Sequence, residues 1–169
     1  MEKLNFDKII LLNNLLTLYC NKYFDADIKV CFSNEFSYSY LKDIITYTLA
    51  IFDTNAKSFR EFWLRNGYLY NDDIFILSFF HELGHYMTGD ELTEEEENTS
   101  IWVKQYISTR EEITDELREL YYNLPDEKLA TCWAIDYVNT HRNEITELWK
   151  EIEKLVIDFY NDNNVRAGA

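Results

Sequence analysis

The order of apolar and polar positions changes rhythm along the chain. Over residues 3–23, Leu4, Ile9, Leu11, Leu12, Leu15, Leu16 and Tyr19 recur at roughly helical spacing, which predicts a helix. Residues 27–33 alternate instead, with Ile28, Val30 and Phe32 set against Asp27, Lys29 and Cys31, the pattern of a half-buried strand. Residues 36–40 extend this strand into a hairpin. The β-branched and aromatic run IITYTLAIF, residues 44–52, predicts another strand.

Helical periodicity then takes over. AKSFREFWLRNG predicts a helix closed by Gly67. Residues 72–88 predict a second, with Asn71 as N-cap, Asp72 and Asp73 in the first turn, and Gly89 just past the end. The run DELTEEEEN, residues 90–98, reads as a loop or a solvated face. Residues 100–123 read as one helix. Pro125 suits the first turn of the next, which runs to about Thr140. The last helix, about 143–160, carries Ile145, Leu148, Trp149, Ile152, Leu155, Val156 and Phe159 on one stripe expected to face the core. Trp63, Trp102 and Trp133 fall on similar stripes and are also expected inside. The expected fold is α+β: a small N-terminal antiparallel or mixed sheet packed with a predominantly helical C-terminal half. Residues 1–163 are expected to form a single domain and 164–169 a flexible tail.

Composition sharpens this picture. Four glycines and one proline in 169 residues favour long helices over many short strands. A net charge of −15 argues against direct contact with nucleic acid or an anionic membrane, since both repel such a surface. Cys20, Cys31 and Cys132 are odd in number and contain no CxxC, so they read as small apolar packing residues in a reducing, cytoplasmic setting. The apolar run Ile9–Leu12 is too short for a secretory signal or a membrane span.

The chemistry concentrates in ILSFFHELGHYM, residues 76–87. His81 and His85 lie four apart, so on a helix they share one face and can aim imidazole nitrogens at a common point where Zn²⁺ would sit. Glu82 lies beside that point, placed to take a proton from a water there. At ordinary His and Glu frequencies, about 0.005 such matches are expected in a chain this long. The apolar surroundings of the motif would exclude water and lower the local dielectric.

HELGH resembles the zincin metallopeptidases, and with Gly84 it looks like the ImmA/IrrE-type phage and bacterial family. Thr88 and Glu91 stand where the metzincin branch would need glycine and histidine, which excludes that branch. The resemblance, over about residues 44–140, implies a third ligand from a later helix in an E-x-x-A pattern, and Glu127 with Ala130 fits it. Glu111, in EEITD, is the rival, and Asp90 and Glu91 also follow the motif closely. Ala130 and Gly84 are small enough to let two helices approach closely. Thr131 stands where related gluzincins often carry an Asp that hydrogen-bonds a ligating imidazole. The resemblance implies a zinc-dependent endopeptidase with His81, His85 and Glu127 as ligands and Glu82 as general base. Its substrate would be a protein or peptide, often a transcriptional regulator in a phage or mobile-element setting. His141, Tyr86 and Tyr137 are candidate transition-state donors. The competing class is a non-catalytic acidic interaction protein, a nucleic-acid mimic or a binder of a basic partner, with a vestigial or structural metal site.

Overall fold

The computed structural model describes the backbone of residues 6–39, 41–49, 57–66 and 74–167, and their side chains except those at 57–60 and 157–167. The caps expected at Gly67, Asn71, Asp72 and Asp73, and the end of the strand expected at 50–52, lie outside the described residues. The elements are α1 (Phe6–Phe24), β1 (Lys29–Phe32), β2 (Ser37–Ser39), β3 (Ile44–Tyr47), α2 (Lys57–Arg65), α3 (Ile74–Thr88), a 3₁₀ turn (Gly89–Glu91), α4 (Glu94–Ser108), α5 (Asp115–Tyr122), α6 (Pro125–Thr140) and α7 (Arg142–Ala167). The architecture is α+β, mostly helical, with a small mixed sheet near the N-terminus. Its contacts fall into two units: residues 1–55 with 140–169, and residues 56–139.

In the first unit, α1 buries Ile9, Leu12, Leu16, Tyr19 and Cys20, the stripe its spacing requires. The helix stops at Asp25, whose φ of 50° is left-handed and cannot continue a right-handed helix. The sheet runs in the order β1-β3-β2, with β1 parallel and β2 antiparallel to β3. Residues 36–40 therefore do not form a hairpin with β1. Instead β2 pairs with β3, and Asp43 (φ 49°) helps to turn the chain between them. The central strand buries Ile45 and Tyr47 on one face, opposite Val30 and Phe32 of β1. The Val30 amide donates to Thr17 Oγ1 of α1 at 3.0 Å, tying the sheet to the helix. The last helix buries Ile145, Leu148, Ile152 and Val156 and continues to Ala167, past the start expected for a loose tail.

In the second unit, α3 is buried from Ile74 through His85, on every face. A helix apolar all round has to be central to its unit. The acidic run is a solvated face rather than a loop: Glu94–Glu97 are exposed and form the first turn of α4. Thr93 accepts from the Glu96 amide while the Glu96 side chain accepts from the Thr93 amide, so the charges sit where the helix dipole favours them. The single helix expected over 100–123 is broken at 109–114, where Thr114 caps α5 by accepting from the Leu117 amide. Trp102 also departs from expectation. It is 66% exposed and stacks on Tyr106, with the Arg110 guanidinium over the Tyr106 ring, because the buried stripe of α4 passes through Ser100 and Val103 instead. Among the cysteines, Cys20 is buried and Cys132 is exposed, so only the first is a core packer.

Candidate metal centre

The site is built where α3 crosses α6. A Cβ placed on Gly84 would stand 2.7 Å from the Ala130 carbonyl oxygen and 2.9 Å from its Cα. Only glycine permits this approach. It brings Glu127 and Thr131, one turn apart on α6, against His81.

His81 Nε2 lies 3.1 Å from Glu127 Oε2, and His85 Nε2 lies 3.5 Å from Glu127 Oε1. The two imidazole rings are 4.8 Å apart at 82°. The two separations run to different carboxylate oxygens, and one ligand atom from each of the three residues lies within 4.8 Å of the other two. His81 is 8% exposed, His85 6% and Glu127 2%. The expected trio is thus brought together in one buried cluster whose donor atoms can converge on a metal ion. Glu111 lies outside it, exposed in the break before α5. Asp90 and Glu91 belong to the 3₁₀ turn and are not members of the cluster.

The surrounding shell orients the ligands. Thr131 Oγ1 is 3.1 Å from His81 Nδ1, which leaves Nε2 to face Glu127. Phe62 and Trp63 of α2 stand edge-on to the His81 ring, each 6.1 Å away, and Trp63 Nε1 donates to Ser78 Oγ at 3.3 Å. His85 Nδ1 is buried with no hydrogen-bond partner among the described residues.

Three residues of the site had not been foreseen. Lys104 of α4 places Nζ 2.5 Å from Asp126 Oδ2 and 2.6 Å from Glu127 Oε1, the second an ion pair without hydrogen-bond geometry. Asp126 itself is 5% exposed. Tyr121 of α5 stands against Glu127, and burial followed by the Glu127 charge pushes its hydroxyl far above the ordinary tyrosine range. One sequence signal was available, that Asp126 adjoins Glu127; Lys104 is the lone basic residue of α4, but only the packing shows that it faces inward.

The electrostatics follow from this burial. Burial disfavours an imidazolium at His81, but the hydrogen bond to Glu127 and the charges of Glu82 and Glu127 outweigh it and raise its pKa. Burial, then the charge on His81, lowers His85 to about 4. His85 is therefore neutral near pH 7, the form a ligand needs. Burial alone would raise Glu127, but the His81 hydrogen bond and the charges of His81, His85 and Lys104 hold it well below the usual carboxylate range.

The candidate donors are placed differently. Tyr86 is 37% exposed. Tyr137 stacks on Trp133 and packs against Phe80. His141 occupies the exposed turn between α6 and α7, in the other unit.

Neither a known protein family, nor a curated protein, nor a solved structure matches this chain. The functional reading therefore rests on the residues themselves.

Proposed function

We propose that this chain is a zinc-dependent peptidase, with His81, His85 and Glu127 as metal ligands and Glu82 as general base. The observation that carries it is the buried convergence of two Nε2 atoms and one carboxylate on a helix pair held close by Gly84. Charge supports it. Glu82, Asp126 and Glu127 bring three buried carboxylates against one ammonium, Lys104. A lining this rich in buried carboxylates suits a divalent cation. Two imidazoles and a carboxylate suit zinc best, although Fe²⁺ also uses this set.

When bound, such a metal supplies Lewis acidity, lowering the pKa of a water and polarising a carbonyl. The chain's own groups do the rest. Glu82 follows the first ligand on α3, where it can accept a proton from the attacking water and pass it to the leaving amine. Thr131 holds the His81 ring by Nδ1, which keeps Nε2 toward Glu127. Phe62 and Trp63 shield one side of His81 from water. Beside Phe62, a cleft of about 380 Å³ runs between α2 and α5, lined by Glu61, Phe62, Arg65, Asp115, Arg118 and Tyr122. The motifs His81–His85 and Glu127–Ala130 resemble those of the ImmA/IrrE-type peptidases, which makes a transcriptional regulator the first substrate to try.

The test is the metal content of the purified chain beside a His81→Ala/His85→Ala double variant, together with cleavage by Glu82→Gln. About one zinc per chain, lost in the double variant, is expected. Glu82→Gln should keep the zinc and lose about 10²- to 10⁴-fold in cleavage rate. A wild-type chain that takes up no metal when zinc is added back overturns the proposal, and the acidic surface becomes the basis for function.

A further inference from the structure

Lys104 is the one basic side chain in α4, and it points inward. Ser100, Val103, Lys104 and Ile107 share a helix face. The first two are buried and the last two half-buried, while residues 101, 102, 105 and 106 are exposed. Nζ touches Asp126 and Glu127 at once, and it stands 5.3 Å from the centre of the Tyr121 ring. The ammonium takes Glu127 Oε1 while Oε2 faces His81 Nε2. One carboxylate is therefore shared between a fixed cation and the proposed metal ligands. Without Lys104, Asp126 and Glu127 would be adjacent buried anions with no ammonium beside them, leaving His81 alone against Glu127, a costly arrangement.

Resting on the metal reading above, we infer that Lys104 is a positioning residue and internal counter-cation: it holds the Glu127 carboxylate toward His81 and His85 in the metal-free protein, and its charge weakens the site's affinity for a divalent cation. The two effects act oppositely on metal binding. Positioning helps by sparing the rotamer freedom of one glutamate, a small quantity. Repulsion between an ammonium and a divalent ion sharing one carboxylate in a poorly hydrated site is larger. Loss of the charge should therefore tighten metal binding even as it loosens the metal-free protein.

The experiment compares wild type with Lys104→Met, which keeps the stem and loses the charge, and Lys104→Arg, which keeps the charge. Tm is measured after chelation, and zinc Kd by competition with a chromophoric chelator. Metal-free Lys104→Met should melt about 6–20 °C below wild type, as expected for breaking a buried ion pair in a chain of this size. Its zinc Kd should be tighter by about tenfold or more, and Lys104→Arg should stay within about threefold of wild type. A merely structural lysine would weaken binding on removal, so the sign of the Kd change decides. Wild type that binds zinc beside a Lys104→Met that binds it equally or more weakly overturns this inference and leaves the metal reading standing. Zinc binding by neither chain overturns both. If Lys104→Met folds only when zinc is present, the inference is supported. If it fails to fold even with zinc, Lys104→Gln takes its place under the same Kd criterion.

Discussion

At the scale of single residues, Gly84 has the most direct structural consequence. The atoms a side chain would meet there are the backbone oxygen and Cα of Ala130, which cannot rotate away. Gly84→Ala should therefore force α3 and α6 apart and cost about 1–3 kcal/mol, the range for overpacking a close contact. That corresponds to roughly 2–12 °C in Tm for a chain of this length. Because the clash is with backbone, Ala130→Gly in the same chain should not restore stability. Thermal melts of the single and double variants check this, and recovery in the double variant would show that the contact is a side-chain one. His81, Glu82 and His85 were legible in sequence because i, i+4 spacing on a helix leaves little freedom in where two side chains point. Thr131 was legible as a position but not as a partner. That its hydroxyl reaches His81 Nδ1 depends on the depth at which α6 crosses α3.

At the scale of elements, the contrast between α3 and α4 is instructive. α3 carries its own evidence, since a run this apolar has to be buried. The phase of α4 is ambiguous from sequence. It mixes Ile101, Trp102 and Tyr106 with polar residues, and the larger apolar side chains end outside while Ser100 and Val103 go in. Its N-terminus is set by local chemistry. The Thr93–Glu96 capping box starts the helix inside what looked like a featureless charge run. Thr93→Ala removes the hydroxyl that accepts from the Glu96 amide. About 1 kcal/mol of stability should be lost. Urea denaturation should show a lower midpoint with unchanged slope. Unchanged stability would mean that the helix start is held by packing instead. α5 follows the same logic, capped by Thr114 in a stretch whose Glu111 had competed for the role of third ligand.

At the scale of the whole molecule, the charge of −15 sets a global term that no single contact removes. Exposed carboxylates repel one another in the folded chain, and salt screens that repulsion over a Debye length of about 10 Å at 0.1 M. Raising NaCl from 20 mM to 500 mM should therefore raise the Tm of the wild-type chain by a few degrees. A flat or falling Tm would mean that the exposed ion pairs, Arg65–Glu119 and Arg118–Asp115 among them, contribute more than the net repulsion. Lys104, Asp126 and Glu127 should contribute little to this dependence, because buried pairs are screened far less.

The sequence by itself determined the α+β class, the helix carrying His81, Glu82 and His85, and the helix opened by Pro125, because periodicity, breakers and caps are local properties. It also pointed to Glu127 and to the small residues Gly84 and Ala130, whose spacing suits a close helix crossing. Tertiary structure decided what depends on contacts distant in sequence. It paired β3 with β1 in parallel, turned Trp102 outward and brought Lys104 onto Asp126, 22 positions along the chain, and onto Glu127 beside it. The physical reason is the same in each case. Which face of an element is buried, and which charge meets which, are set by the partner it packs against, and a partner far along the chain leaves no periodic trace in the local sequence.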